Sequence, residues 1–329
     1  MNSGNSKTVL ITGGCGFIGC NLVSHLARRG YALRVLDNLS NASSHWGSVL
    51  GKGCPRPSVR ASVELTIGDI RDEDTVYRVV NGVGAVVHLA AYPGVTESLK
   101  APAETWEVNT GGTLNLLEAS RRSDVGCFVF ASSNAAVGDQ EPPIDETRIP
   151  RPLSPYGASK LAGEALCSAY YRSFGLRTLS LRFSNCVGPY SDRKSSVVAT
   201  FIRKAVAGEP LTIHGSGDQT RDFVHVSDVC RAIDLCLTLR QKDQVGRETP
   251  WGEVFQVGTG IETSIRELCS IIAEVSGDNA EVVYEERREG DIQRNYSDIS
   301  RARRVLGFEP AVTLREGIAE LWERRLAGG

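Results

Sequence analysis

None of the nine cysteines in this 329-residue chain forms a Cys-x-x-Cys pair, and no Cys/His cluster has zinc spacing, so no metal site is expected. Their count is odd and most sit in apolar runs such as Gly126-Cys127-Phe128 and Leu235-Cys236-Leu237. They read as small buried hydrophobes in a reducing compartment, hence the cytoplasm. No apolar run approaches the length of a membrane span, and the polar stretch from Met1 to Lys7 lacks the apolar core of a signal peptide. Neither sign of charge dominates. With a net charge of −2 and no basic tract or acidic tail, electrostatics offers no reason to expect nucleic acid or an anionic membrane as partner. Internal repeats and low-complexity tracts are also missing. What is present is an ordinary globular composition, 41% hydrophobic and 23% charged, in a chain long enough for one large α/β domain and a smaller lobe.

The first half alternates strand and helix patterns. Thr8 to Ile11 is a short apolar run ended by glycines, and Phe17 to Arg28 carries Ile18, Leu22, Val23 and Leu26 on one helical face. Leu33 to Leu36, Val63 to Ile67, Ala85 to Leu89 and Cys127 to Phe130 continue as strands with helices between them. This order predicts an α/β fold of Rossmann type, a doubly wound parallel sheet. The Ser-, Gly- and Pro-rich stretch from Asn41 to Arg60 has no period and reads as a mobile surface excursion, either an inert loop or a flap over a cofactor. From Ser184 onward, helical stretches (197–207, 226–239, 264–276, 314–325) alternate with short strands at 211–213 and 254–257. The expected division is a dinucleotide-binding domain over 1–183, with crossovers later in the chain, and a substrate lobe over 184–329.

Chemistry concentrates in two places. Gly13, Gly16 and Gly19 lie between a strand and a helix, where glycines allow backbone to approach a pyrophosphate at the helix amino end. Asp37 ends the second strand, where a carboxylate can accept both hydroxyls of an adenosine ribose and repel a 2′-phosphate; NAD is therefore expected rather than NADP. Asp69, after the third strand, reads either as a contact to the adenine edge or as a helix cap. Downstream, Tyr156 and Lys160 stand four apart, on one face of a helix, and a nearby ammonium should lower the phenol pKa and yield a base near neutral pH. Ser132 and Ser133 end an apolar strand at the crevice side of the sheet, and Ser133 is the expected proton relay to Tyr156.

With these motifs the chain resembles the extended short-chain dehydrogenase/reductases, in particular the nucleotide-sugar epimerase and dehydratase group. The matching segments run in order from Thr12–Gly19 through Asp37-Asn38-Leu39, His88 to Ala91, Asn109 to Thr113, Ser154–Lys160 and Arg182–Pro189 to Thr220-Arg221-Asp222-Phe223 and Arg288 to Asp291. The resemblance implies that Tyr156 is the acid/base, Lys160 holds the nicotinamide ribose and Ser133 assists. It further implies that Phe17, Ile18, Asn38, Asp69, Ile70, Leu89, Ala90, Ala91 and Asn109 line the cofactor. Asn185 would touch the sugar or diphosphate; Arg221 and Arg288, with Asp291 beside the latter, would clamp the diphosphate. Uridine would lie against 197–201 and 211–213, meeting Val198 and Thr212. A homodimer through the long helices is implied as well.

Within that group, dehydratases carry Asp-Glu after the catalytic Ser/Thr and uronate decarboxylases carry Glu; here Asn134-Ala135 follows Ser133. The resemblance then favours 4-epimerisation of a UDP-hexose, first UDP-glucuronate to UDP-galacturonate, with UDP-glucose also accepted. Arg193, after Gly188-Pro189, is the expected ligand of the C6 carboxylate, against the alternative of a solvated loop charge. Ser132, Ser133 and Asn134 are further donors to that carboxylate. Asn295 stands where narrow-range epimerases carry Tyr, which leaves room for an N-acetylhexose. The other readings are a neutral-sugar epimerase, a decarboxylase and a non-catalytic NAD-binding regulator.

Overall fold

A computed structural model describes residues 7–50, 63–191, 193–239, 249–277, 281–287 and 292–326. The first half contains β1 (Thr8–Thr12), α1 (Phe17–Arg28), β2 (Ala32–Asp37), α2 (Trp46–Leu50), β3 (Val63–Ile67), α3 (Glu73–Val80), β4 (Ala85–His88), α4 (Val95–Lys100), α5 (Pro102–Trp106), α6 (Gly112–Arg122), β5 (Phe128–Ser133), α7 (Pro155–Phe174) and β6 (Thr178–Phe183). A π-helical turn, Glu107–Gly111, joins α5 to α6. There follow β7 (Asn185–Val187), α8 (Val197–Ala207), β8 (Leu211–His214), β9 (Thr220–Arg221), β10 (Phe223–His225), α9 (Val226–Leu239), β11 (Glu253–Val257), β12 (Thr263–Ser264), α10 (Ile265–Ser276), β13 (Val282–Glu285) and α11 (Leu314–Leu326). Among the described residues no helix is long and apolar enough to cross a membrane.

Seven strands form one parallel sheet in the order β3-β2-β1-β4-β5-β6-β11. The inner strands β1, β4, β5 and β6 are buried almost end to end because both faces are covered. On one face Val9, Ile11, Val87, Val129 and Leu181 pack with Leu22 and Leu26 of α1 and Val229 and Ile233 of α9. On the other, Leu10, Val86, Phe128 and Phe130 pack with Val76, Leu116 and Tyr170. Each such side chain contributes roughly 1.5–3 kcal/mol. Chain direction across the sheet reverses between β1 and β4, so a crevice opens beyond their carboxyl ends. A separate apolar cluster, including Val198, Ile202, Leu211, Ile213, Leu268 and Ile318, holds α8, α10 and α11 around the β8–β13 pair.

The excursion after β2 departs from expectation. Residues 41–50 include α2, bury Ala42, Ser43 and Val49, and are tied to the glycine loop by the Ser43 amide, which donates to the Cys15 carbonyl at 2.9 Å. Apolar side chains among the serines and glycines supply that anchor. The rest of the excursion lies outside the described residues.

Candidate active site

The glycine loop fits a dinucleotide by close approach. A Cβ on Gly13 would come within 2.6 Å of the Ala90 amide nitrogen, and one on Gly19 within 2.2 Å of the Gly13 carbonyl oxygen. Gly13 also has a φ of 71°, open to glycine at little cost. Gly16 is the N-cap of α1 and brings no side-chain cap, so the amide groups of Phe17 and Ile18 stay available to a phosphate. Asp37, 8% exposed, accepts from the amides of Cys15 (2.9 Å) and Leu39 (2.8 Å) at the end of β2; burial raises its pKa. Each carboxylate oxygen keeps a lone pair for a ribose hydroxyl. The donor set fits NAD.

Asp69 is not a helix cap: Asp72 caps α3, accepting from Asp74 and Thr75. Asp69 instead binds the Arg71 guanidinium (2.9 Å) and accepts from Asn38 (3.1 Å), and Arg71 holds its carboxyl down at about 2. It thus stands beside Asp37 as a permanent anion. Ile70 is core, packed where Gly112 leaves space. Leu89, Ala90 and Ala91 follow β4 at the crevice and are partly exposed. Asn109 is 2% exposed and fully engaged: it accepts from the Tyr92 amide (2.7 Å) and donates to Tyr92 O (3.2 Å) and Ser159 Oγ (2.9 Å). Its side chain braces the loop after β4 against α7 and leaves no donor for the cofactor.

Helix α7 begins with Ser154 as N-cap, its Oγ accepting from the Gly157 amide (3.1 Å), and with Pro155 at its first position. That start sets Tyr156 in the first turn, partly exposed, and Lys160 one turn on, 3% exposed. The Lys160 ammonium lies 5.8 Å from the Tyr156 ring centroid and donates to the Ala131 carbonyl at 2.8 Å; burial holds its pKa at about 8. The expectation that Lys160 lowers the phenol pKa fails here. Desolvation raises Tyr156, and the opposing influence is a hydrogen bond with Ser133. Spacing alone brings the two residues near, but burial of the phenol outweighs it.

The adjacent serines part company, because successive strand residues face opposite sides. Ser132 is 3% exposed and donates to Glu164 Oε1 at 2.5 Å, away from the crevice; it is not a substrate ligand. Glu164 in turn holds Arg182 through bonds of 2.8 and 2.7 Å, both residues 4% exposed at the side chain. Asn134 is also corrected as a carboxylate donor: its Nδ2 is committed to Ser297 (3.0 Å), Ser184 (3.2 Å) and Asn295 (3.4 Å). Asn185 on β7 is exposed.

Of the expected substrate contacts, Val198 is 2% exposed and belongs to the lobe's apolar core, and Thr212 Oγ1 accepts from Lys204 at 2.8 Å. Arg221 donates to the carbonyls of Thr220 (2.7 Å) and Ile292 (2.8 Å). Arg193 is exposed and its Nη1 donates to the Ala42 carbonyl at 3.1 Å, which turns it toward the segment after β2. Arg288 and Asp291 lie outside the described residues. Sequence reasoning missed Glu164, although its place four residues after Lys160 puts it on the same helix face, and Lys194, which no local signal separates from Arg193.

Over residues 9–258 the chain matches the profile of the NAD dependent epimerase/dehydratase family. It is 36% identical over 315 residues to a putative UDP-glucose 4-epimerase of Methanocaldococcus jannaschii, covering 94% of this chain and 95% of that one. Its structure is similar to that of the UDP-glucose 4-epimerase of Thermotoga maritima solved with UDP-glucose, with a TM-score of 0.85 at 33% identity, covering 97% of this chain and 99% of that one. It is similar too to MoeE5 solved with UDP-glucuronic acid and NAD (TM-score 0.83, 33% identity, 97% and 99% covered). MoeE5 has also been solved with UDP-glucose and NAD.

Proposed function

The chain belongs to the NAD dependent epimerase/dehydratase family and is an NAD-dependent UDP-sugar epimerase, and on that premise we propose that it inverts C4 of a UDP-hexose through a transient 4-keto sugar, taking both UDP-glucuronate and UDP-glucose. The observation that carries this reading is the phenol of Tyr156, partly exposed, one turn before the buried Lys160 and beside Ser133 at the carboxyl end of β5. NAD supplies a reversible hydride acceptor that is regenerated in each turnover.

In this reading the Tyr156 oxygen takes the proton of the sugar 4-hydroxyl and returns it after the keto sugar turns over. Ser133 stabilises the phenolate by hydrogen bonding. Lys160, anchored on the Ala131 carbonyl, has further N–H donors for the nicotinamide ribose. Gly13, Gly16, Phe17, Ile18 and Gly19 carry the pyrophosphate, and Asp37 the adenosine ribose. Asn185 faces the sugar; Arg221, Arg288 and Asp291 belong to the diphosphate end. Asn134-Ala135 provides no carboxylate beside Ser133, so elimination or decarboxylation has no acid or base there. A basic turn, Arg193-Lys194, and the ligands of MoeE5 support acceptance of the uronate. A homodimer across the α7 face accords with exposed Leu99 and Trp106 on the neighbouring α4 and α5.

The test is incubation with UDP-glucose, UDP-glucuronate and UDP-N-acetylglucosamine without added NAD, products resolved by proton NMR. The first two should give their C4 epimers, and Tyr156→Phe should lose about 10²–10⁴-fold in kcat. Release of carbon dioxide with a UDP-pentose, or NAD binding without turnover of any sugar, overturns the proposal.

A further inference from the structure

The turn that carries Arg193 outward carries its neighbour inward. Asn21, one turn into α1, donates from Nδ2 to Phe17 O and Pro189 O, both at 2.9 Å, and so clamps the 188–190 segment onto the start of that helix. Tyr190 then adopts a left-handed φ of 67°, and the Lys194 amide closes on the Ser191 carbonyl at 3.0 Å. The result is a half-buried Lys194 side chain whose ammonium donates to Cys186 O at 2.9 Å and stands 5.0 Å from the centroid of the Phe17 ring.

That placement is costly for a cation. Among the described residues no carboxylate comes within ion-pair distance of Lys194, and burial lowers its pKa. One carbonyl and a ring face do not replace the water removed from an ammonium. A neutral side chain of the same length would fill the space more cheaply. Two features flank it. Phe17 opens α1, whose amino end has no side-chain cap and faces the expected pyrophosphate. Cys186 is the central residue of β7, next to exposed Asn185.

Resting on the reading above, we propose that Lys194 is an oxyanion-binding residue of the active cleft, its ammonium taking the cofactor pyrophosphate or the C6 carboxylate of the sugar. Arg193 is then the outer strut of the turn and Lys194 the inner ligand. An ammonium, with three rotatable donors, can keep the Cys186 carbonyl and add an anion without moving.

The experiment compares wild type with Lys194→Met and Lys194→Gln, the latter still able to donate to Cys186 O but uncharged. Bound NAD is released by denaturation and quantified in each purified protein, and dissociation constants of UDP-glucuronate and UDP-glucose are measured by calorimetry. Neither readout needs turnover, so failure of the epimerase assignment would remain visible separately. Both variants should lose roughly tenfold or more in NAD occupancy if the oxyanion is the pyrophosphate. They should keep NAD and lose roughly tenfold selectively for UDP-glucuronate if it is the carboxylate. The proposal is overturned if both readouts stay at wild-type values, if both sugars weaken equally with NAD retained, or if Lys194→Gln behaves as wild type. The last outcome also decides the matter should Lys194→Met fail to fold.

Discussion

His88 should set part of the acid limit of this fold. It is 1% exposed at the end of β4, between Thr12 Oγ1 (2.7 Å from Nδ1) and Thr113 Oγ1 (2.9 Å from Nε2). The Thr113 hydroxyl spends its proton on the Asn109 carbonyl, so it accepts from His88, whose proton is therefore on Nε2. Nδ1 must then accept from Thr12, and Thr12 accepts in turn from the Ala90 amide at 3.3 Å. The chain of bonds runs one way from Ala90 to Asn109, linking two stretches that frame the crevice. Protonating Nδ1 would point two donors at each other. Burial and the charge of Lys160 accordingly hold the His88 pKa at about 3, against 6.5 in the unfolded chain. The unfolded state binds the extra proton in that window, so this contribution is full above about 6.5 and drains as pH falls toward about 3. By pH 5 the loss is about 2 kcal/mol, taking about 1.4 kcal/mol per unit over 1.5 units. Urea unfolding of wild type and His88→Gln at pH 8 and pH 5 measures it, since carboxylate effects common to both cancel in the difference. The variant should start less stable and lose about 2 kcal/mol less on acidification. Parallel pH dependence of the two proteins would refute the argument.

Ser133→Ala should lower kcat about ten- to hundredfold with stability little changed, while Ser132→Ala should cost about 1–3 kcal/mol in unfolding free energy and leave kcat/KM unaltered. Steady-state kinetics and denaturation of the pair separate the crevice serine from the buried one. Gly19→Ala forces a Cβ onto backbone atoms of Gly13 and Gly14 at 2.2 and 2.5 Å, and should abolish NAD retention with about 1–3 kcal/mol of destabilisation. Gly47→Ala, with open space at its Cβ, is the control that should keep both. Glu164→Gln strands the Arg182 guanidinium and should cost about 3–5 kcal/mol, whereas Glu164→Leu with Arg182→Met should recover most of it. Thermal or urea melts check both.

Local geometry explains how much was legible in the sequence. The Gly13-Gly16-Gly19 spacing, the strand and helix runs of the first half, and Tyr156 four before Lys160 all depend on contacts within one or two turns of chain, and the structure has them at the crevice of a parallel sheet. Asp37 was legible for the same reason, lying one strand beyond the loop. What the sequence could not assign is which of two neighbours faces the site. Ser132 turns to Glu164, 32 residues on, and Ser133 to Tyr156; Arg193 turns to Ala42, 151 residues back, and Lys194 to Phe17. Adjacent residues have the same local environment, and only packing against distant elements breaks the tie. The phenol pKa of Tyr156 depends on surroundings in the same way, since burial raises it. Four-residue spacing puts an ammonium near the phenol, and the Ala131 carbonyl, supplied by β5, takes one of its N–H groups. The sequence by itself determined the fold and the cofactor class, and it set Tyr156 and Lys160 one turn apart on a single helix. Tertiary packing decided which serine pairs with Glu164 and which cation turns toward Phe17, because burial and pairing are properties of surroundings that the chain assembles only on folding.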